Sequence, residues 1–309
     1  MWHRERREAP AGFMKRDAFD TWSLAELDAV ESALDAFVPV DAPAGLGEAM
    51  RYAVLDGGKR LRPLLVLAGA NAVGGVRAAA LRAACAVELI HAYSLVHDDL
   101  PCMDDDVLRR GKPTVHVRFG VAQAMLAGDA MQALAFEVLT PTDDSVSPAL
   151  QARLCGLLAR AAGGGGMAGG QAIDLASVGR QLDEQALSDM HRRKTGALLR
   201  ASVLMGAACG TTNPREWQSL AEYGDAIGLA FQVVDDILDV TQASATLGKT
   251  AGKDIDNNKP TYVTVLGLDA AHAHAEALRR AAHTALDGSG MADTEQLREL
   301  ADRVVARES

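Results

Sequence analysis

Residues 86–106 read AVELIHAYSLVHDDLPCMDDD, and residues 227–239 read IGLAFQVVDDILD. In both stretches an apolar run with a helical pattern ends in aspartates, so each places carboxylates at the end of a segment that should be buried. Several like charges held side by side in a buried place are unstable unless something positive binds them. Mg²⁺ favours a few carboxylates together with phosphate oxygens. The two stretches therefore predict a site where metal ions join the protein to a phosphorylated substrate.

The spacing of the aspartates supports their convergence. Asp235 and Asp239 are four residues apart and share one helix face. Asp98 and Asp104 would point in different directions on an unbroken helix, but Pro101 lies between them and disfavours regular helix. We therefore predict a loop that brings these two carboxylates together. One acidic cluster is most often a solvated helix end, but that explanation does not cover two clusters that alternate with basic motifs.

The composition favours helices in a single domain. The chain of 309 residues is rich in Ala and Leu, contains 4% aromatic residues and has no linker rich in Pro, Gly or Ser. We predict an all-α domain over residues 21–309, preceded by a mobile N-terminal extension over residues 1–20, in which Met14 is an alternative start. Predicted helices cover residues 24–37 (capped by Ser23), 46–55, 61–72, 76–96, 117–140, 148–162, 182–209, 214–239, 261–286 and 293–307.

Several classes of protein are disfavoured. The net charge of −10 argues against a nucleic-acid partner. No apolar run reaches membrane-spanning length without polar interruption, so we expect no stable membrane insertion. The N-terminus lacks an apolar signal core, which favours a cytoplasmic protein. Four cysteines without CxxC spacing indicate reduced thiols and no zinc site: Cys85, Cys102, Cys155 and Cys209.

Basic motifs alternate with the aspartate stretches. Residues 57–63 read GGKRLRP and place three cations around a helix N-terminus, where backbone donors and charge suit an anion such as diphosphate. Further motifs are RRGKP at 109–113, KTG at 194–196, GKTAGK at 248–253 and a lysine at 259. The glycine-rich segment 163–170 has no GKS or GKT ending and follows no strand, so it is not a P-loop. It fits either a flexible loop or a close backbone approach.

Together these motifs resemble those of the trans-isoprenyl diphosphate synthases, and within them the bacterial farnesyl diphosphate synthases. The resemblance runs from about residue 46 to residue 262. It rests on GGKRLRP at 57–63, HAYSLVHDDLPCMDDD at 91–106, RRGKPT at 109–114, LAGDA at 126–130, GGQAIDL at 169–175, KTGALL at 194–199 and GLAFQVVDDILD at 228–239. The six-residue step from Asp98 to Asp104 is similar to the form of the first motif found in bacterial short-chain enzymes.

This resemblance implies an isoprenoid synthase fold, with helices around a large central cavity, acting as a homodimer. It implies three Mg²⁺ ions per active site, for which Mn²⁺ can substitute. The metal ligands it implies are Asp98, Asp104 and Asp235, and it leaves Asp99, Asp236 and Asp239 in outer-shell or water-mediated roles.

The resemblance also assigns the substrate positions. Arg109, Lys194 and Lys249 are expected to bind the allylic diphosphate; Lys59, Arg62, His91 and Arg110 are expected to bind isopentenyl diphosphate; and Lys259 is expected to close over the metal site. A satisfied core histidine is the alternative for His91. The catalytic set is Lys194, Thr195 and Gln232, whose backbone or side-chain oxygens would face the allylic cation.

The implied reaction is the Mg²⁺-dependent 1′-4 condensation of isopentenyl diphosphate with dimethylallyl and geranyl diphosphate to give (2E,6E)-farnesyl diphosphate. Tyr93, five residues before Asp98, and Ser94 are expected to form the floor that limits chain length, because a bulky aromatic at the fifth position accompanies C15 products in this family. Geranylgeranyl diphosphate synthase is the alternative. Two other classes are disfavoured. A terpene cyclase would not need the second diphosphate site that GGKRLRP and Arg110 supply, and a non-catalytic regulatory subunit could lose its aspartates without penalty, whereas this chain keeps both sets.

Overall fold

The computed structural model describes residues 11–55, 57–180, 182–210, 213–241, 261–291 and 293–307, without the side chains of 11–17. Fourteen α-helices are found in this part of the chain. They are α1 Ala11–Phe37, α2 Leu46–Val54, α3 Leu61–Ala72, α4 Arg77–Asp98, α5 Val115–Phe119, α6 Val121–Leu139, α7 Pro148–Ala162, α8 Met167–Ala176, α9 Glu184–His191, α10 Ala197–Ala208, α11 Pro214–Thr241, α12 Tyr262–Leu266, α13 Leu268–Asp287 and α14 Glu295–Val305.

The predicted bounds of α3 and α7 match the observed ones, and four other predictions need correction. Ser23 does not cap a helix, because α1 begins at Ala11 and the Ser23 hydroxyl donates to the carbonyl of Asp20 at 3.1 Å. The predicted helix 117–140 divides into α5 and α6 at Gly120, whose φ of 88° is outside the helical region. The predicted helix 261–286 likewise divides into α12 and α13 at Gly267, whose φ is 85°. A π-helical turn at Arg192–Gly196 interrupts the predicted helix 182–209.

A two-residue hairpin is the one sheet in the described residues. Strands β1 (Leu108–Arg109) and β2 (Lys112–Pro113) pair antiparallel, with Arg109 opposite Lys112. Arg110 and Gly111 connect them with φ angles of 53° and 76°. Two consecutive positive φ values are what a tight hairpin turn requires. The fold is otherwise all-α, as predicted.

The centre of the molecule is formed by helices in very close contact. A Cβ atom added at Gly206 of α10 would lie 2.0 Å from the carbonyl oxygen of Val66 in α3, and one added at Gly228 of α11 would lie 2.7 Å from the Cα of Gly196. Only glycine permits such approaches without displacing the backbone. These contacts bring α11 against the π-helical turn, which places the second aspartate stretch opposite Lys194.

Helix α4 is long and largely apolar. Its length and composition would allow it to cross a membrane, but 72% of its most apolar 18-residue stretch is buried inside the fold. Ala83, Ala84, Leu89 and Ile90 are fully buried. We therefore interpret α4 as a core helix, with its C-terminal end carrying Asp98 to the cavity described below.

A buried ion pair anchors the segment between α2 and α3. The Arg60 guanidinium donates to Glu88 of α4 and to Glu31 of α1, both at 2.6 Å, and it also bonds the Val54 carbonyl. The Arg60 and Glu88 side chains are 2% and 4% exposed. In the GGKRLRP motif, Arg60 is therefore turned inward, away from the positions predicted to bind substrate.

Candidate active site

The first aspartate cluster lies at the end of α4. Asp98 is the last helical residue, and the chain then turns so that the backbone N–H of Asp104 donates to the Asp98 carbonyl at 2.8 Å. This hydrogen bond closes the loop that contains Pro101, and both aspartates line the same cavity. The predicted convergence of the two carboxylates is confirmed.

The second aspartate cluster approaches from α11. Asp235 and Asp236 line the cavity, whereas Asp239 is buried and does not contribute to its wall. Asp235 accepts a hydrogen bond from the Arg307 guanidinium at 3.0 Å. Asp236 accepts one from the Gln232 amide nitrogen and one from the Tyr262 backbone N–H, both at 2.8 Å. The two acidic residues that are adjacent in sequence therefore have different partners.

The aspartate clusters line a cavity of about 560 Å³. Apolar side chains, among them Met167, Leu175 and Phe231, complete its wall. Ten of the predicted site residues line it: Arg62, His91, Tyr93, Ser94, Asp98, Asp104, Lys194, Thr195, Gln232 and Asp235. A polar end with carboxylates and cations and an apolar remainder suit a molecule with a charged head and a hydrocarbon tail.

Three predicted substrate ligands lie beside the cavity instead of on its wall: Lys59, Arg109 and Arg110. Arg109 makes a bidentate ion pair with Asp99, with N–O distances of 2.6–3.0 Å, which directs its guanidinium into an adjoining hollow. Arg110 donates to the Gly57 carbonyl at 2.6 Å, and its guanidinium would lie 2.8 Å from a Cβ atom added at Gly58. Lys249 and Lys259 lie outside the described residues.

Asp99 is consequently committed to Arg109. Its side chain is 4% exposed, and its two oxygens accept three hydrogen bonds from that guanidinium. Bidentate arginine–carboxylate pairs are among the stronger polar contacts in proteins. In this geometry Asp99 fixes the hairpin that follows the first cluster, while Asp98 and Asp104 face the cavity.

One end of the cavity is electropositive. The Nε of Arg62 is buried and makes no hydrogen bond within the described part of the chain, and burial lowers the pKa of this guanidinium to about 10. Burial also lowers the pKa of His91 well below its ordinary value, and four surrounding arginines, led by Arg62, lower it further. A neutral imidazole next to an unsatisfied arginine is suited to an anionic ligand.

The π-helical turn Arg192–Gly196 forms another part of the cavity wall. Such single turns widen the helix locally and are frequent at functional sites. Here the turn directs Lys194 and Thr195 into the cavity. Lys194 forms an ion pair with the buried carboxylate of Asp174, and the Thr195 hydroxyl donates to the Gln232 amide oxygen at 3.0 Å.

Tyr93 lies one helical turn and a half below Asp98. Its ring packs edge-on against His97, with centroids 5.7 Å apart, and its hydroxyl accepts a hydrogen bond from Gln132 of α6 at 3.3 Å. It is 8% exposed and lines the cavity. The neighbouring Ser94 also lines the cavity, and its hydroxyl donates back to the His91 carbonyl at 2.8 Å.

Four residues near the cavity were not assigned from the sequence: Gln171, Asp174, His191 and Arg307. Gln171 and Asp174 lie in the quoted GGQAIDL motif, and a Cβ added at Gly170 would lie 2.1 Å from the Lys194 backbone nitrogen, so the glycines permit close approach to the π-helical turn. His191 is stacked on Tyr262 with a centroid distance of 5.6 Å. Nothing in the local sequence pattern singles out Arg307, because its partner is distant along the chain.

Comparison with known proteins agrees with this arrangement. The family model described as polyprenyl synthetase matches residues 43–300. The chain belongs to this family. It is 45% identical to the Arabidopsis thaliana heterodimeric geranylgeranyl pyrophosphate synthase large subunit 1, over 98% of this chain and 82% of the relative.

Two solved structures of the polyprenyl synthetase type show the same fold. An FPP/GFPP synthase from Zymomonas mobilis superposes with a TM-score of 0.83 at 40% identity, over 93% of this chain and 99% of the other. A geranyltransferase from Helicobacter pylori, in complex with magnesium and isoprenyl diphosphate, gives 0.81 at 31% identity, over 98% of both chains. The protein is a prenyltransferase of the chain-elongating trans type, and its isoprenoid synthase fold is confirmed.

The cavity of this polyprenyl synthetase fits a divalent metal only in combination with a ligand. Asp98 and Asp104 lie on one wall and Asp235 on another, and among the described residues no group of three or more Asp, Glu, His or Cys side chains is close enough to hold an ion alone. Burial raises the pKa of Asp98 to about 6. Hard oxygen donors without a closed cage match Mg²⁺ that completes its coordination with phosphate oxygens and water.

Proposed function

We propose that the protein is a Mg²⁺-dependent synthase that adds isopentenyl diphosphate to allylic diphosphates and whose end product is geranylgeranyl diphosphate. The reaction is supported by one observation: residues of both aspartate clusters line a single cavity together with Lys194, Arg62 and His91. The C20 product is supported by the Arabidopsis relative, which is named a geranylgeranyl pyrophosphate synthase subunit.

Asp98, Asp104 and Asp235 are the residues that would hold Mg²⁺. When bound, the metal supplies positive charge to the leaving diphosphate. Lys194 lies beside these carboxylates and would bind the same diphosphate, with Arg109 and Lys249 as further ligands. Lys259 would close over them. Arg62 and His91 would bind isopentenyl diphosphate, with Lys59 and Arg110 contributing from the side.

The chemistry follows from charge. The C1–O bond of the allylic diphosphate breaks, and the electron pair leaves with the diphosphate. The allylic carbon becomes positive, and the oxygens of Thr195 and Gln232, with the backbone carbonyl of Lys194, would face it as dipoles. The double bond of isopentenyl diphosphate attacks this carbon, and the proton then lost from C2 goes to the released diphosphate. The apolar wall keeps water from quenching the cation.

A second candidate, farnesyl diphosphate, is favoured by Tyr93. A tyrosine held by Gln132 and His97 beside the first cluster is suited to stop a growing chain early. The name of the Arabidopsis relative favours C20 over this C15 product that the sequence predicts. The Zymomonas structure is named for two products, FPP (C15) and GFPP (C25), so a related protein at 40% identity is not limited to one chain length.

Supplying each allylic acceptor separately tests the proposed product. The protein would be incubated with labelled isopentenyl diphosphate and either dimethylallyl, geranyl or farnesyl diphosphate. A C20 synthase uses all three and converts farnesyl diphosphate in a single addition. If farnesyl diphosphate is not consumed while geranyl diphosphate is, the end product is C15 and the C20 proposal is wrong.

We also propose a homodimer in the cytoplasm. Helices α5 and α6 expose an apolar group, with Val117, Val121, Met125 and Leu126 between 40% and 53% exposed. A second copy of the chain would cover it. Light scattering coupled to size exclusion tests this: the wild type should have twice the mass of one chain, and Leu126→Asp should give a monomer. The Arabidopsis relative is named a heterodimer subunit, so a wild type that remains monomeric would indicate a different partner.

A further inference from the structure

A continuous set of hydrogen bonds joins three elements at the cavity. The Thr195 hydroxyl in the π-helical turn donates to Oε1 of Gln232 at 3.0 Å. Nε2 of Gln232 donates to Oδ1 of Asp236 at 2.8 Å, and the other oxygen of Asp236 accepts from the backbone N–H of Tyr262 at 2.8 Å. Asp236 is thus linked to both the proposed catalytic amide and the first residue of α12.

The direction of the Gln232 amide depends on Asp236. The two ends of an amide have nearly the same shape, so its orientation is set by the hydrogen bonds available to it. An ionised carboxylate only accepts, so Gln232 must present its NH₂ group to Asp236 and its carbonyl oxygen to Thr195. Asp236 is 3% exposed, and water therefore has little access to replace this contact.

His191 approaches Asp236 but makes no hydrogen bond to it. Its Nε2 lies 4.0 Å from Oδ2 of Asp236, and burial lowers the pKa of the imidazole to about 4. The Asp236 carboxylate is therefore held by two fixed donors, the Gln232 amide and the Tyr262 backbone N–H. Although it is adjacent to the proposed metal ligand Asp235, it points along the wall toward Gln232 and α12.

We propose that Asp236 is a positioning residue, which turns the Gln232 carbonyl oxygen toward the allylic carbon and does not act through the metal. This rests on the proposed function, because the Gln232 carbonyl oxygen aids the reaction only if it faces the positive charge that develops on the allylic carbon. A reversed amide would place its partly positive NH₂ group there. Removing one preorganised dipole from a reacting centre lowers kcat by about 10²–10³-fold.

Asp236→Asn reverses the amide with little change in shape. The Tyr262 N–H cannot turn and takes the asparagine oxygen, so the asparagine NH₂ group faces Gln232. Gln232 must then offer its own oxygen to that group and its NH₂ group to the cavity. We expect kcat to fall about 10²-fold, with the melting temperature, the KM for the allylic substrate and the Mg²⁺ concentration for half-maximal rate nearly unchanged.

Two further variants make the test specific. In the double variant Asp236→Asn/Gln232→Glu, a glutamate oxygen again faces Thr195, and we expect kcat to recover at least tenfold over the single variant. Asp235→Asn should instead raise the Mg²⁺ requirement. The proposal is overturned if Asp236→Asn raises the Mg²⁺ requirement as Asp235→Asn does, or if the double variant recovers nothing.

A measurement on the metal-free protein separates this proposal from the proposed function. With ¹⁵N-labelled glutamine, the Gln232 side-chain amide protons should exchange slowly in the wild type, because they bond a buried carboxylate. They should exchange faster in Asp236→Asn, where the NH₂ group faces the cavity. Equal exchange in both proteins would contradict the positioning role, whether or not the protein elongates prenyl chains. A wild type that makes no elongated product would contradict only the proposed function.

Discussion

The guanidinium of Arg307 donates to Oδ1 of Asp235 at 3.0 Å and stacks on the Phe231 ring at 4.4 Å. A cation from the C-terminal end of the described chain therefore lies against the carboxylate that we propose as a metal ligand. The Arg307 side chain is 11% exposed, and its charge is one of the influences that lower the pKa of Lys59, after desolvation. In the metal-free protein, Arg307 thus supplies positive charge beside Asp235.

This contact predicts that Arg307 competes with Mg²⁺. In Arg307→Ala the metal no longer displaces a cation, so the Mg²⁺ concentration that half-saturates the protein should fall about two- to fivefold, as suits a partly exposed ion pair. Calorimetric titration with Mg²⁺ and an unreactive allylic diphosphate analogue measures it. The control is Arg303→Ala, whose side chain bonds Asp20 and Glu299 instead. Weaker Mg²⁺ binding in Arg307→Ala would contradict competition.

Removing a proposed metal ligand should abolish turnover. Asp98→Ala and Asp235→Ala each delete charge that would hold the metal at the leaving group, and we expect kcat to fall by about 10²–10³-fold or more. Circular dichroism should show that both variants keep their helices. Substantial activity in either variant would refute its assignment as a metal ligand.

Mg²⁺ binding should depend on pH through Asp98, whose pKa is raised to about 6 by burial. Since the folded carboxyl holds its proton more tightly than the unfolded one, it destabilises the metal-free fold as pH rises from about 4 through 6. The metal binds the ionised form, so Mg²⁺ affinity should rise by up to about tenfold per pH unit below pH 6 and level off above it. Thermal shifts with Mg²⁺ at several pH values measure this.

The matched control for this pH dependence is Asp98→Asn, which has the same shape and no titrating proton. Its Mg²⁺ affinity should be weak and should change little between pH 5 and 7. A wild-type affinity that is equally flat over this range would show that Asp98 does not bind the metal.

Tyr93 should limit the length of the product. Tyr93→Ala removes the ring that packs on His97 and leaves space below the first aspartate cluster, so the product distribution should move to chains at least one C5 unit longer. Gas chromatography of the dephosphorylated products reports this shift. Tyr93→Phe keeps the ring and loses only the Gln132 hydrogen bond, so it should shift the distribution less. An unchanged product distribution in Tyr93→Ala would show that Tyr93 does not limit the chain length.

The Arg60–Glu88 pair should be important for stability. Both side chains are almost fully buried, so Glu88→Gln leaves the Arg60 charge with only part of its compensation. Loss of one partner of a buried pair costs about 3–5 kcal/mol of unfolding free energy. The more exposed pair of Arg279 with Glu276 is the comparison, since Glu276→Gln should cost about 1 kcal/mol or less. Urea denaturation measures both, and equal losses would contradict the account.

Much of this arrangement can be predicted from sequence because it is encoded locally. The periodic apolar runs predict which segments are helical. Pro101 and the aspartates around it predict the loop that is closed by the hydrogen bond from Asp104 to Asp98. The cavity wall likewise receives ten of the residues named from motifs. Periodicity and motif spacing hold this information within a few helical turns of sequence.

The remaining features depend on contacts between distant parts of the chain. Whether Asp99 bonds Arg109, and whether Asp236 bonds Gln232 and Tyr262, is decided by packing, which spacing does not record. The π-helical turn at Lys194 likewise ends at Gly196, which packs closely on Gly228 of another helix. The reach of Arg307 to Asp235 joins residues 72 positions apart, and no local pattern indicates it.

The most direct test of the central claim is mass spectrometry of the dephosphorylated products formed from isopentenyl and dimethylallyl diphosphates, with and without Mg²⁺. The account predicts a prenyl alcohol with added C5 units that forms only when Mg²⁺ is present, with C20 as the longest major species. A protein that forms no elongated alcohol with Mg²⁺, or forms as much without it, would contradict the proposal that the two aspartate clusters carry out metal-dependent chain elongation.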